Sequence, residues 1–223
     1  MASESSEDEV RAKMVAAMGE ELGELHFPLW RDVAHLHFEW MEYRELFGTT
    51  ADRINLMNQA AAGFFSDLER LFWQDILLDL SCLADPPGTG GQKNVTLRRV
   101  PPLLRDDKLR SNFNAALDTV EAGVAFAKDW RNRLLAHREY QHAARPAAHD
   151  LKPASRAAVE SALDAIRRAM NLVEMAYGGP EVQYDLGGPR TTGAYDLLLH
   201  LDCGLAASEK LARDGTGWRP RFK

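Results

Sequence analysis

Apolar residues recur at intervals of three and four positions along most of this 223-residue chain, and no segment alternates apolar and polar residues as a strand does. This spacing places the apolar side chains on one face of a helix, so the chain is predicted to be all-α. The pattern predicts seven helical segments. They cover about residues 7–25, 29–47, 50–83, a short piece ending near 102, 105–143, 155–173 and 194–213.

Residues with capping or helix-breaking chemistry mark the ends of several predicted helices. Pro28 is expected to kink the first helix or to start the second. Thr49 or Thr50 can cap the third helix, and Ser155 can cap the sixth. The clearest break is the Pro- and Gly-rich stretch at residues 85–91, which is typical of a connection between two helices.

Long helices with mostly short connections predict an antiparallel bundle of four or five helices with extra N- and C-terminal helices. We expect residues 1–9 to form a disordered acidic tail and residues 10–178 to form the bundle. Residues 179–223 are expected to supply a linker and a C-terminal helix that packs on the bundle.

Composition excludes several classes of protein. Cys82 and Cys203 lie far apart in helical contexts, which excludes a disulfide scaffold and a Cys-rich zinc site. The N terminus is acidic where a secretory signal is basic and then apolar, and no apolar run approaches the ~18 residues of a membrane span. The sequence therefore predicts a cytoplasmic protein without a membrane partner.

The loop after residue 85 resembles part of a phosphate-binding P-loop, but the match fails at the positions that carry the chemistry. Asp85 stands in place of the first glycine, Gly91 in place of the lysine and Gln92 in place of the hydroxyl residue. We therefore predict a plain connecting loop.

Metal and serine-hydrolase chemistry have little support in the sequence. The paired Glu-x-x-His motifs of di-iron bundles, the His-Glu-x-x-His of zinc proteases and the Gly-x-Ser-x-Gly elbow are all missing. His35 and Glu39 share a helix face, which is more typical of a surface pair. We expect no metal site and no cofactor.

The most informative stretch is residues 130–140, Trp-Arg-Asn-Arg-Leu-Leu-Ala-His-Arg-Glu-Tyr. On an α-helix, Arg131 and His137 lie three residues from Leu134 on opposite sides, so they flank the apolar face. Arginine offers a charged, planar fork for a phosphate, and histidine can transfer a proton near neutral pH. Asn132 can orient either group. In-line RNA cleavage needs a second proton-transfer group, which a second copy of this segment in a homodimer would supply.

Local charge favours an anionic ligand at this segment. The chain as a whole has a net charge of −6, but residues 98–147 hold ten basic and six acidic residues, a net +4, which leaves −10 elsewhere. A solvated helix border with ordinary i, i+4 neighbours explains the same residues, and that alternative stays open on chemistry alone.

The motif and its surroundings resemble HEPN domains. Arg131, Asn132 and His137 match the HEPN signature of an arginine, a polar residue, a gap of four to six residues and a histidine. Two further stretches, Leu-Ala-Asp-Pro-Pro at 83–87 and Asn-Val-Thr-Leu at 94–97, are similar to the abortive-infection U-type subfamily.

The resemblance covers about residues 30–178 and implies a compact helical bundle that dimerises with its motif helices facing each other. Members of this family are commonly metal-independent endoribonucleases of toxin–antitoxin, abortive-infection and CRISPR-linked systems, and some are inactive binding proteins. By position, the resemblance implies that Arg131 binds the scissile phosphate, His137 transfers protons and Asn132 orients them. An antitoxin protein is a further candidate partner.

Residues around the motif are candidate RNA or phosphate contacts: Arg133, Arg138 and Tyr140. Some toxins of the family carry a tyrosine two residues after the histidine, which a nucleotidyltransferase modifies. Here Glu139 holds that position and Tyr140 comes one residue later, a departure that does not support this control.

Three functions therefore compete. The first is a HEPN ribonuclease in phage defence or stress response, with RNA as substrate and a composite site across a homodimer. The second is a non-catalytic HEPN module that binds a nucleotide, RNA or a protein. The third is an all-helical scaffold for assembly.

Overall fold

The computed structural model describes residues 6–135, 153–184 and 192–215, with the backbone alone for 134–135. These residues form seven α-helices, a two-residue β-hairpin, two 3-10 helices and a π-helical turn. The α-helices are α1 (Glu7–Met18), α2 (Glu20–Phe47), α3 (Ala51–Cys82), α4 (Asp107–Gly123), α5 (Ala125–Trp130), α6 (Arg156–Ala176) and α7 (Ala194–Arg213). The prediction of an all-α bundle is confirmed.

The remaining elements lie before and after α4. Strands β1 (Gly88–Thr89) and β2 (Gln92–Lys93) pair antiparallel in the loop after α3. The 3-10 helices Leu97–Arg99 and Pro101–Leu103 follow, and the π-helical turn Arg131–Leu135 continues α5. Within the ranges described, no helix is both long enough and apolar enough to cross a membrane.

The described residues belong to two compact units. Residues 6–37, 74–135 and 153–184 form the first unit, and residues 38–73 and 192–215 form the second. The division therefore differs from the boundary predicted after residue 178. Residues 38–73, which comprise the end of α2 and most of α3, belong with α7. Their apolar side chains share a core with those of α7.

The first unit buries the apolar faces of α2, α4 and α6. Helix α4 packs against α6, and Phe113, Val120, Ile166 and Met170 are fully buried there. Ser155 caps α6, since its Oγ accepts a hydrogen bond from the Ala158 amide at 3.1 Å, as the sequence predicts. Hydrophobic burial on this scale is the main stabilising term of such a unit.

The second unit has its own apolar cluster of Leu46, Met57, Phe65, Ala194 and Leu198. Its start follows the sequence prediction, because the Thr50 hydroxyl accepts from the Arg53 amide at the start of α3. Within α3, the backbone departs from helical geometry at Ala61, with φ −164° and ψ 70°. That kink carries no Pro or Gly signal in the sequence.

The N-terminal prediction needs two corrections. Glu7–Glu9 form the first turn of α1, capped by Ser6, so they are not part of a disordered tail. The break between the first two helices falls at Gly19, with φ +87°, whereas Pro28 lies inside α2. The chain turns back tightly there, since a Cβ at Gly23 would lie 2.5 Å from the Val15 Cα.

The prediction of one continuous helix over residues 105–143 is also wrong, because the segment is interrupted. Helix α4 ends at Gly123, and Val124 leaves helical geometry with φ −93° and ψ 3°. The π-helical turn then begins at Arg131. Residues 136–143 lie outside the described residues. A π turn inserts one residue into the helical hydrogen-bond pattern, which the apolar spacing alone does not reveal.

Candidate phosphate-binding site

The π-helical turn Arg131–Leu135 carries the first half of the predicted motif. Such turns occur often at functional sites, because the extra residue redirects side chains from the ordinary helical register. The Arg131 side chain is about one-fifth exposed, at 21%. The side chain of Leu134 and the whole of His137 lie outside the described residues, so the predicted placement of Arg131 and His137 on either side of Leu134 stays a prediction.

Asp85 is the main partner of Arg131. Arg131 Nη1 donates to both carboxylate oxygens of Asp85 at 2.7 Å. On the other side of the guanidinium, Arg131 Nε donates to Asn132 Oδ1 at 3.3 Å. The structure thus brings Arg131 and Asn132 together as the sequence suggests, and it adds a carboxylate that fixes the guanidinium in place.

The position of Asp85 depends on backbone contacts at the end of α3. The Thr96 hydroxyl lies within hydrogen-bond distance of the Leu83 and Asp85 carbonyl oxygens, at 3.0 and 2.8 Å. Lys128 Nζ donates to the Ala84 carbonyl at 2.8 Å. Because Thr96 is fully buried, its hydroxyl contacts help to fix the backbone of the segment that carries Asp85.

The charges around Arg131 shift several pKa values. Burial lowers the pKa of the Arg131 guanidinium, but the hydrogen bond and charge of Asp85 outweigh burial and raise it overall. Burial and the negative charge of Asp85 raise the pKa of the neighbouring Cys82 thiol, against the effect of Arg131. Cys82 is therefore a neutral thiol near pH 7, unsuited to act as a nucleophile.

Lys128 completes this group. Burial and the positive charge of Arg98 lower the pKa of its ammonium, while Glu121 and Asp85 oppose that shift. Arg98 itself pairs with Glu121 at 2.7 Å. The positive charge counted in this region is thus partly balanced by internal pairs.

Of the remaining predicted site residues, only Arg133 lies within the described part of the chain. Arg133 lies beside Arg131 in the π turn, with Nη1 3.5 Å from Asp129 Oδ1. His137, Arg138 and Tyr140 lie outside the described residues, so their predicted roles stay predictions.

A cavity of about 410 Å³ adjoins this group in the first unit. Seven residues from α2, the end of α3 and the segment before the 3-10 helices line it: Arg31, Asp32, His35, Asp79, Cys82, Leu83 and Val95. Cys82 lines this cavity and also lies close enough to Arg131 for each to shift the pKa of the other. The cavity size falls within the ~300–1,000 Å³ typical of small-molecule sites.

Sequence reasoning missed Asp85, Cys82 and this cavity. In the sequence, Asp85 stands out only as a mismatch to a P-loop and as part of the Leu-Ala-Asp-Pro-Pro stretch at 83–87. No local signal links it to Arg131, which lies 46 residues later. The proximity of Asp32, His35 and Asp79 likewise depends on how α2 and α3 meet.

Comparison with known proteins agrees with the predicted family and with the fold. The family model described as HEPN_AbiU2 (AbiU2) matches residues 19–198, which is most of the chain. The chain belongs to the HEPN_AbiU2 family. No curated protein and no solved structure gives a significant match.

Proposed function

We propose that this HEPN_AbiU2 protein is a metal-independent endoribonuclease that acts in phage defence, a toxin–antitoxin pair or a stress response. The observation that carries the proposal is the Arg131 guanidinium, held between Asp85 and Asn132 within a HEPN domain. An oriented guanidinium suits a phosphate whose negative charge grows during reaction.

The proposed reaction needs acid–base groups and positioning. The 2′-oxygen attacks the adjacent phosphorus, the P–O5′ bond breaks, and the products are a 2′,3′-cyclic phosphate and a 5′-hydroxyl end. One group takes the 2′-hydroxyl proton and another protonates the departing O5′. His137 is proposed for one of these transfers, and a second copy of His137 in a homodimer supplies the other.

Removal of His137 tests the reaction directly. We expect His137→Ala to abolish cleavage of total RNA in buffer containing EDTA, with an unchanged circular dichroism spectrum. His200→Ala is the matched control, because His200 is an exposed histidine whose ring nitrogen lies 2.7 Å from the Asp196 carbonyl oxygen. Full cleavage by the His137 variant would remove it from the mechanism. A strict monomer in solution scattering, with full activity, would exclude the composite site.

A non-catalytic HEPN module is the second candidate, and one observation favours it. Both oxygens of Asp85 already occupy Arg131 Nη1, so an incoming phosphate must share the guanidinium with a carboxylate. RNA binding that weakens with salt, together with no cleavage by the wild type, would support this alternative.

A further inference from the structure

The cavity at the end of α3 combines an apolar wall with a few polar groups. Leu83 and Val95 supply the apolar side, and Asp32, His35 and Asp79 supply acceptors and donors. Flat heteroaromatic rings suit such a lining, because their faces contact apolar groups while their edges form hydrogen bonds.

Asp79 is the group in this cavity that most requires a ligand. Its carboxylate is half-buried, and none of the residues that the structure describes donates a hydrogen bond to it. A ring nitrogen of His35 lies within 4.8 Å of a carboxylate oxygen of Asp79, and the two form no hydrogen bond. Burial, then the negative charge of Asp75, raises the pKa of Asp79. A ligand with N–H donors would satisfy this acceptor.

The cavity also lies close to the proposed phosphate site. Asp79 and Cys82 are three residues apart on α3, so their side chains neighbour each other at about 5–6 Å between Cβ atoms. Cys82 in turn lies close enough to the Arg131 guanidinium for each to shift the pKa of the other. A phosphate on Arg131 and a ring beside Asp79 would thus belong to the same or adjacent nucleotides.

Charge separates the two ends of such a ligand. Arg131 and Lys128 lie on the phosphate side, whereas Asp32 and Asp79 line the cavity. The carboxylates repel a phosphate from the cavity and attract the N–H groups of a base. The backbone and the base of one RNA strand would therefore bind in a single orientation.

Among the four RNA bases, guanine fits these groups best. Its neighbouring imino and amino groups present two donors side by side, which match the two oxygens of one carboxylate. Adenine and cytosine place an acceptor beside their amino group, and uracil flanks its imino group with two carbonyls. Arg31 and His35 can donate to O6 and N7 on the neighbouring Hoogsteen edge of guanine.

We propose that this cavity is a base-recognition pocket that binds guanine beside the scissile phosphate, with Asp79 as the specificity-determining residue. The proposal rests on the ribonuclease proposed above and deepens it by naming the preferred substrate.

The test uses 2′-O-methyl oligonucleotides with a single cleavable ribonucleotide. One series varies the base that carries the 2′-hydroxyl, and a second series varies the base on the other side of the phosphate. We expect wild-type cleavage in EDTA to favour guanine in one series by about 10- to 100-fold over uracil. Asp79→Asn should remove that preference, because its amide NH₂ faces the guanine donors, while cleavage at the other bases changes little.

Two further variants separate recognition from general effects. Asp75→Asn removes an exposed negative charge from the same helix without touching the cavity, and its base preference should match wild type. Val95→Trp should fill the cavity from its partly exposed rim and lower cleavage at guanine. Equal cleavage of all four bases in both series, or equal losses in the Asp79 and Asp75 variants, would overturn the pocket.

A binding measurement distinguishes failure of the pocket from failure of the ribonuclease. Calorimetry with GMP, AMP, CMP and UMP should show tightest binding of GMP by the wild type and its loss in Asp79→Asn. If the wild type cleaves no oligonucleotide but binds GMP in this way, the ribonuclease fails and the pocket stands. If no nucleotide is preferred, or if Mn²⁺ alone occupies the Asp79 site, the pocket proposal is wrong.

Discussion

Two side-chain pairs in the first unit have the same 2.7 Å separation and opposite surroundings. His26 Nε2 lies 2.7 Å from Glu174 Oε1, and both side chains are buried, at 0% and 9% exposure. Arg131 and Asp85 are equally close but more than twice as exposed as Glu174, at 21% and 22%. A sealed pair can only hold the fold, whereas a pair open to solvent can exchange a partner for a ligand.

The largest effect should come from breaking the sealed pair. Glu174→Ala leaves His26 buried opposite a void, and we expect the free energy of unfolding to fall by about 3–5 kcal/mol in a urea titration. Cleavage per folded molecule should stay at the wild-type level. Glu160→Ala, at an exposed position of the same helix, is the control and should change stability by less than about 0.5 kcal/mol. A similar loss in both variants would assign the effect to α6 as a whole.

Breaking the open pair at Arg131 should do the reverse. We expect Arg131→Ala to lower the single-turnover cleavage rate by about 100- to 1,000-fold, because the guanidinium stabilises charge on the phosphate. Its unfolding free energy should change by less than about 1 kcal/mol. Arg168→Ala removes an equivalent charge from an exposed pair with Asp164 at 2.6 Å, and should cleave as wild type does. Loss of stability without loss of activity would make Arg131 a structural residue.

Substitution of Asp85, the partner of Arg131, should have a smaller effect, which differs between the cleavage rate and RNA binding. Asp85→Asn weakens the hold on Arg131 and removes a charge that competes with phosphate. We therefore expect the cleavage rate to fall about 10-fold while RNA binding, measured by fluorescence anisotropy, tightens or stays constant. Asp107→Asn is the matched control, since Asp107 pairs with Arg110 at 2.6 Å on the exposed start of α4. Weaker binding at an unchanged rate would contradict a positioning role for Asp85.

The smallest effect concerns Asp79, which lines the cavity. An acid whose pKa is raised on folding binds its proton more tightly in the folded state, so stability falls as pH rises from about 3.8 through the raised pKa. Asp79→Asn should remove this loss and raise stability at pH 7 by less than about 1 kcal/mol. Thermal melts at pH 4 and pH 7 measure it, and an unchanged difference between the two pH values would contradict the assignment to Asp79.

Local signals predicted much of the fold. Ser155 and Thr50 cap their helices as expected, and α7 covers residues 194–213 as its spacing predicts. These features depend on neighbours within one turn. The break at Gly19 and the kink at Ala61 were not predicted, because they depend on what each helix packs against.

In the candidate site too, local sequence signals predict some residues, and the others come together only in the folded structure. Arg131 and Asn132 are adjacent in sequence and were found from their residue types and spacing. Asp85 and the cavity residue Asp79 approach them only after α3 has packed into the first unit, so a single sequence holds no pattern that joins them. Family membership narrows the search for such residues without naming them.

The π-helical turn at Arg131–Leu135 bears on how this motif tolerates changes in length. On an uninterrupted α-helix, adding or deleting one residue between arginine and histidine rotates everything beyond it by about 100°. A turn that can adopt either π or α hydrogen bonding absorbs one residue and keeps the downstream face in place. The gap of four to six residues between the polar residue and the histidine of the HEPN signature has four residues here, between Asn132 and His137. A turn of this kind would let that gap change in length without loss of the motif.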